Sequence, residues 1–156
     1  MKRIPIICFL LFVLLGCATT NLCSVGFDDS PKGKPNEERA TIYFIRDNVS
    51  PTMMNPGIFV DGNKVGELPN NSFFWAYARP GKKLIETEWP WLAGATNDTI
   101  QISVEPNRTY YLMLKQTGRP SYLGITSRGY YGSKFFDVDE TQAVSRMSKF
   151  KYYIVK

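Results

Sequence analysis

The sequence predicts a mainly β protein, an antiparallel β-sandwich of about seven or eight short strands with one C-terminal helix. Segments rich in β-branched and aromatic residues recur from residue 40 onward, separated by turn pairs such as Asp61-Gly62. Thr99–Glu105 alternates apolar and polar side chains, the pattern of a strand buried on one face. Asp137 precedes Glu140 by three residues, which is typical of a helix N-terminus.

The first strand is expected at Ala40–Arg46, where apolar residues occupy both faces, as in the centre of a covered sheet. Ile58–Val60 and Lys64–Gly66 are expected to form a hairpin. Asp61-Gly62 and Gly62-Asn63 are both hairpin turn pairs, so two registers remain open. Because the registers differ by two residues, the buried face is the same in both.

A second hairpin is expected between Ser72–Ala78 and Lys82–Trp89, turned by Pro80-Gly81. Proline presets φ at the first turn position, and glycine supplies the positive φ of the second. Counting back from this turn gives two faces. The apolar face, expected in the core, contains Phe74, Ala76, Ala78, Lys83, Ile85 and Thr87. The opposite face mixes aromatic side chains with carboxylates and contains Phe73, Trp75, Tyr77, Leu84, Glu86 and Glu88.

The rest of the chain is expected to add one more hairpin, the helix and a last strand. Pro106-Asn107 predicts a turn that sets Arg108–Lys115 against Thr99–Glu105. A short apolar piece follows at Tyr122–Thr126. The chain is expected to end in a strand at Tyr152–Val155. The predicted helix has a partly apolar face formed by Val138, Ala143, Val144, Met147 and Phe150.

The N-terminus has the layout of an export signal. Met1-Lys2-Arg3 is a short basic segment, and Ile4–Leu15 is apolar. As a helix this apolar run would span roughly 18 Å against about 30 Å of hydrocarbon, so a retained transmembrane helix is the weaker interpretation. Leu14-Leu15-Gly16-Cys17 resembles the signal-peptidase II site of bacterial lipoproteins. This resemblance implies cleavage after Gly16 and acylation of Cys17 with fatty acids such as palmitate.

The sequence divides into a signal peptide at 1–16, a lipidated N-terminus and flexible linker at 17–39, and a sandwich domain at 40–156. An ordinary secretory signal cut near Ala18 is the alternative interpretation. Ala18, rather than aspartate, follows the cysteine, and by analogy with enteric bacteria this favours an outer membrane lipoprotein facing the periplasm. The net charge of +5 falls to +3 when Lys2 and Arg3 leave, and this mild excess does not indicate a nucleic-acid partner.

Three segments carry a likeness to a known family. They are Val60–Gly66, Arg79–Lys82 and Pro106–Tyr111. Together they resemble a bacterial lipoprotein family with a domain of unknown function, whose DGxxVG and PGxH-type hairpins are similar to PEGA-like β-sandwich modules. The likeness covers about residues 40–115. Where that family often has histidine after the Pro-Gly turn, this chain has Lys83. The resemblance implies a fold and an envelope address, and it implies no activity.

The composition limits the chemistry. The chain has no histidine, so a conventional Ser/Cys–His nucleophile pair or a His-ligated zinc site is excluded. We expect no metal, no cofactor and no enzymatic activity. The one catalytic alternative is a glycosidase-like pair, because Glu86 and Glu88 on one strand would lie roughly 7 Å apart. Solvated charges on a sheet explain this pair more simply.

Phe73, Trp75 and Tyr77 are the binding candidates, because aromatic side chains on a flat sheet face can stack on sugar rings or peptide side chains. Burial under the helix or the second sheet is the alternative. Trp89-Pro90-Trp91 is a further aromatic candidate, again with packing as the alternative. We expect a lipoprotein that meets the membrane through acylated Cys17 and acts as a non-enzymatic interaction module for an envelope protein. The alternative function is a module that binds cell-wall glycan or peptidoglycan through the aromatic face.

Overall fold

The computed structural model describes residues 24–117 and 132–154. The predicted signal peptide, the lipidation site Cys17 and the apolar piece at 122–126 lie outside these residues. The described chain contains one α-helix, α1 (Glu140–Met147), and ten strands. The strands are β1 (Ser24–Val25), β2 (Ala40–Arg46), β3 (Gly57–Val60), β4 (Asn63–Glu67), β5 (Ser72–Ala78), β6 (Gly81–Glu88), β7 (Asp98–Val104), β8 (Thr109–Thr117), β9 (Gly132–Asp137) and β10 (Lys151–Tyr153).

The strands form two sheets, and this confirms the predicted mainly β sandwich with a C-terminal helix. One sheet has six strands in the order β1-β10-β5-β2-β8-β9, and the other has four in the order β4-β3-β6-β7. Most neighbours are antiparallel, but β2 with β8 and β10 with β5 are parallel. Parallel neighbours require long connections, and here the chain passes through other strands between the partners. No helix among the described residues is long and apolar enough to cross a bilayer.

Strand β2 is the centre of the six-stranded sheet, as predicted from its apolar residues on both faces. All seven of its residues are buried, and it pairs with β5 and β8. Phe44 faces the other sheet and packs near Phe74 and Phe135. Tyr43 lies on the opposite, outer side of the sheet and stacks on Tyr111 of β8 at 5.3 Å between ring centroids. The six-stranded sheet therefore has buried aromatic side chains on both faces.

Two of the three predicted hairpins are wrong. Strand β5 pairs with β2 and β10, whereas β6 pairs with β3 and β7. Strands β7 and β8 likewise lie in different sheets. Pro80-Gly81 and Pro106-Asn107 therefore turn corners between the sheets, because the hydrogen-bonding edges of the flanking strands are taken by other strands. The predicted core face is still largely correct, since alternation within each strand is local, and its buried members are Phe74, Ala78, Ile85 and Thr87.

The third predicted hairpin, β3–β4, is present and uses the Asp61-Gly62 loop. Both loop residues have positive φ, 51° and 76°, as a tight two-residue hairpin turn requires. Val60 pairs with Asn63 at the loop. A bulge then shifts the pairing, so that Ile58 lies opposite Gly66 rather than Val65.

Residues 26–39, which we name the strap, lie against the outer face of the six-stranded sheet, although the sequence predicts a flexible linker here. Strand β1, just before the strap, pairs with β10. The backbone N–H of Gly33 donates a hydrogen bond to the Tyr43 hydroxyl at 3.0 Å. The Phe27 ring packs on Phe73 with 5.8 Å between centroids. The structured domain therefore includes residues 24–39, and the predicted linker outside the described residues is 17–23.

Helix α1 begins later than the sequence predicts. Its N-cap is Asp139, whose side chain accepts a hydrogen bond from the Gln142 N–H at 2.8 Å. The predicted cap, Asp137, is instead the last residue of β9 and pairs with Leu112. The helix buries Ala143 and Met147.

Replacing Gly33 by alanine is expected to detach the strap while the sandwich stays folded. A Cβ at Gly33 would lie 2.9 Å from the Trp75 ring and would overlap the Thr41 side chain, and both belong to packed strands. We expect Trp75 to become accessible, with tryptophan emission moving to longer wavelength and acrylamide quenching increasing. Gly26→Ala is the matched control, because no described atom lies within 4 Å of a Cβ there. Identical quenching in the two variants would contradict the strap packing.

Candidate functional site

The predicted aromatic stripe of Phe73, Trp75 and Tyr77 lies on the outer face of the six-stranded sheet and is largely covered. Phe73 is 0% exposed and packs against Tyr152 with 5.5 Å between ring centroids. Trp75 is half-buried, and its indole N–H donates a hydrogen bond to the Pro31 carbonyl at 2.9 Å. Tyr77 is 37% exposed, and its ring lies 3.5 Å from the Arg39 guanidinium.

The cover over this stripe comes from the strap and not from the second sheet, while β10 flanks Phe73 within the same sheet. The three side chains therefore do not form the open flat surface that stacking on a sugar requires. Sequence reasoning missed this because the strap is rich in charge, proline and glycine, and only its contacts show that it packs. Two residues of the strap could have indicated that it packs on the sheet. Phe27 is an aromatic anchor, and Gly33 allows a close approach of the backbone.

The end of the sandwich where β2 stops is organised by the side chain of Arg46. This side chain is fully buried. Its terminal nitrogens donate to four backbone carbonyls at 2.7–2.9 Å. Three of these carbonyls, of Val49, Pro51 and Met54, belong to the β2–β3 loop. The fourth, of Leu68, lies between β4 and β5. One side chain therefore ties two connections to the central strand.

Arg46 also contacts a third connection through Trp89, which follows β6. The guanidinium carbon lies 4.9 Å from the indole ring, a cation–π distance. Trp89 is itself buried, and its indole N–H donates to the Ser133 hydroxyl of β9 at 3.1 Å. Among the described residues no carboxylate pairs with Arg46. Burial lowers the pKa of Arg46 to about 10, so the group is still charged at neutral pH.

Three large apolar side chains project from this same end, and we name them the apolar tip. They are Met53, Trp91 and Leu92, which are 95%, 85% and 63% exposed. Gly57 pairs with Glu88, so the β2–β3 and β6–β7 loops leave the four-stranded sheet side by side. The sequence analysis named Trp89-Pro90-Trp91 as an aromatic candidate but did not distinguish which of the two tryptophans is exposed. The structure buries Trp89 and exposes Trp91.

The local backbone explains why Trp91 and Leu92 point outward. Residues Trp91–Ala93 form a single 3-10 turn, in which the Ala93 N–H donates to the Pro90 carbonyl at 2.8 Å. Ala93 and Trp89 are buried on either side of the exposed pair. The Asn97 side chain closes the loop by accepting a hydrogen bond from the Trp89 N–H at 2.9 Å. The two flanking anchors thus hold the intervening side chains in solvent.

A second accessible surface is the outer face of the four-stranded sheet, which we name the open face. Leu84 is 39% exposed at its centre, with Phe59 partly exposed beside it. Polar and charged side chains surround this pair. They are Lys64, Lys82, Glu86, Glu88, Thr99, Gln101 and Ser103. The sequence placed Leu84, Glu86 and Glu88 on one face with the aromatic stripe, whereas the structure puts them on the opposite side of the sandwich.

A polar cleft of about 480 Å³ lies where the β7–β8 corner meets the start of α1. Its lining includes Arg108, Tyr111, Asp137, Asp139 and Glu140. Burial, followed by the charge of Glu140, raises the pKa of Tyr111 to about 12. Asp139 is engaged as the helix cap. No described cluster of three or more Asp, Glu, Cys or His side chains has the geometry to hold a metal.

A family model matches more than half of the chain. Residues 36–124 match the family described as Protein of unknown function (DUF2846). No curated protein sequence matches the chain. The predicted membership in a family with a domain of unknown function is therefore confirmed, while the likeness to lipoproteins and PEGA-like modules stays a prediction. The match spans Arg46, Met53, Leu84 and Trp91, so both accessible surfaces belong to the family domain.

Replacing Arg46 by methionine is expected to lower the free energy of unfolding by about 3–5 kcal/mol, because it removes the donor to four backbone carbonyls, two in buried and two in partly buried hydrogen bonds. Urea denaturation followed by circular dichroism measures this loss. Arg79→Met is the matched control, since Arg79 is exposed, and we expect it to change the stability by less than about 0.5 kcal/mol. Equal midpoints for the two variants would show that Arg46 does not hold the loops.

Proposed function

The chain belongs to the DUF2846 family of proteins of unknown function, and we propose that it is a membrane-anchored lipoprotein of the bacterial cell envelope. In this proposal it works as a non-enzymatic interaction module, attached to the outer membrane by acylated Cys17 and facing the periplasm. It binds an envelope protein through the open face. The contrast between the two outer sheet faces carries the proposal, because one is covered by the chain itself and the other is accessible.

The anchor is supported by Leu14-Leu15-Gly16-Cys17 after an apolar run of signal length. The structure adds the length of the tether. Ser24 is already paired with Tyr153, so residues 17–23 alone separate the lipid from the folded domain. Seven residues reach at most about 25 Å. In this arrangement the domain stays close to the bilayer and meets its partners there.

The binding surface is supported by the way in which apolar area is distributed over the two sheets. The outer face of the six-stranded sheet carries the larger aromatic side chains, and the strap and helix α1 cover them. The open face keeps Leu84 and Phe59 accessible within a ring of charged and polar residues. An apolar centre with a polar rim is the composition of protein–protein interfaces.

The roles of the charged side chains also agree with a binding function. Arg46 holds loops, Asp139 caps α1, and Asp61 accepts hydrogen bonds from Lys83 and the Leu84 N–H at 2.7 and 3.0 Å. Glu86 and Glu88 lie on a sheet face in contact with solvent. Each of these groups has a structural or surface role, which supports a module without catalytic activity.

The anchor is tested by intact-mass analysis of the protein purified from bacterial membranes. We expect a mature chain that begins at Cys17 and carries the mass of two or three fatty acyl chains. The Cys17→Ala variant is expected to lack this mass and to keep its signal peptide, while Cys23→Ala is the control and keeps the acyl mass. A mature chain that starts at another residue or carries no acyl mass would contradict the proposed anchor.

The open face is tested by photo-crosslinking in living cells, with benzoylphenylalanine in place of Leu84. We expect a discrete adduct with an envelope protein. The matched control carries the same group at Tyr77, which is 37% exposed against 39% for Leu84 but lies on the covered sheet. Adducts from Tyr77 alone would contradict this surface. Peptidoglycan binding by the wild type that Trp75→Ala abolishes would instead support the glycan-binding alternative.

A further inference from the structure

We propose that the apolar tip of Met53, Trp91 and Leu92 inserts into the surface of the lipid bilayer that carries the acyl anchor. The domain then docks on the membrane in one orientation, with the β2–β3 and β6–β7 loops facing the bilayer. This inference rests on the proposed acylation of Cys17 and goes beyond it, because a flexible tether by itself leaves the orientation of the domain free.

The tip is built to stay exposed in the folded protein. Trp91 and Leu92 lie between the buried residues Trp89 and Ala93, so the chain cannot turn them inward without losing both anchors. Met53 stands between Pro51 and Met54, whose carbonyls are both held by Arg46. Because the backbone of both loops is fixed by these contacts, docking requires little further ordering of the chain.

The chemistry of the tip fits a bilayer surface. The indole of tryptophan favours the interface between headgroups and acyl chains, where its ring is apolar and its N–H remains hydrated. Leucine and methionine beside it supply apolar area without a hydrogen-bonding group. At 85% exposure Trp91 presents most of its ring, which is rare for a large aromatic side chain on a protein surface.

The charges at this end favour an anionic membrane. Lys134 is exposed on β9 opposite Lys115, and both lie near the end of the sheet where β8 stops. Lys149 and Lys151 are exposed where β10 begins. Two carboxylates at the same end are already paired, Asp47 with Arg146 at 3.2 Å and Glu67 with Lys64 at 2.9 Å. Glu88 and the half-buried Asp98 also lie at this end, but the four lysines outnumber them, and the excess of positive charge attracts anionic headgroups.

The tether joins the domain near the tip end, but it enters β1 from the side that faces away from the tip, because β1 is antiparallel to β10. Lys151 lies opposite Ser72, and Ser72 lies opposite Arg46 at the tip end of the sheet. Ser24 pairs with Tyr153, two residues further along β10, which corresponds to roughly 7 Å. A tether of residues 17–23, with a limit of about 25 Å, can fold back over the roughly 7 Å that bring Cys17 level with Lys151 at the end that carries the tip. It is also short enough to keep the tip in the neighbourhood of the lipid.

The test is quenching of tryptophan fluorescence by lipids brominated in their acyl chains. The acylated protein is reconstituted into vesicles of phosphatidylethanolamine and phosphatidylglycerol, with and without bromine. Trp75 and Trp89 are held in the sandwich, so the difference between wild type and Trp91→Phe isolates the tip. We expect quenching of the wild type to be at least about twice that of Trp91→Phe. Leu92→Ser is expected to reduce the quenching, because the loop then inserts less deeply.

Tyr77→Ser is the control, because Tyr77 is exposed at the opposite end of the sandwich, and we expect it to leave the quenching unchanged. Equal quenching of acylated wild type and acylated Trp91→Phe overturns the docking inference and leaves the proposed anchor intact. A protein purified without acyl mass overturns the proposed anchor, and the docking inference with it. Circular dichroism of each variant confirms that the sandwich is folded before the vesicles are added.

Discussion

The hydrogen bonds from Arg46 to four backbone carbonyls are the interaction on which the loop end of this molecule depends. A buried guanidinium is stable only when the groups around it replace the water that it has lost. Here carbonyl dipoles and the Trp89 ring take that role at 2.7–2.9 Å and 4.9 Å. Since all of these groups contact one guanidinium, Arg46 ties together three connections between strands. The positions of Met53 and Trp91 follow from this arrangement.

The outer faces of the two sheets differ, because one is covered by the chain itself and the other is accessible. The strap and helix α1 lie over the aromatic face, where Phe27 and Gly33 make close contacts with the sheet. The open face keeps Leu84 accessible. Because the strap is used for packing, the predicted tether shortens to residues 17–23, and in the proposed role this keeps the domain close to the membrane. The proposed partner surface, the short tether and the apolar tip are consistent with the proposed role at a bilayer.

The local patterns in the sequence predicted the individual strands well. Alternation identified β7 with Ile100, Ile102 and Val104 inward, and the apolar run at 40–46 identified the central strand. The partners of these strands were harder to predict. Pro80-Gly81 is a good turn sequence, but a tight turn serves equally for a hairpin and for a corner between sheets. The choice depends on which edges are free, and that depends on strands far away in the sequence.

The sequence by itself determined the fold class, the face of most strands that packs between the sheets, and the presence of the β3–β4 hairpin, because these follow from side-chain alternation and backbone preference within a few residues. Only the tertiary structure decided that Phe73 is buried while Trp91 is exposed. Both are aromatic residues in apolar surroundings. Phe73 packs against Phe27 of the strap and Tyr152 of β10, which are distant in the chain, whereas the buried positions next to Trp91 are taken by Trp89 and Ala93. Burial is set by the sum of such long-range contacts, and no short stretch of sequence contains that sum.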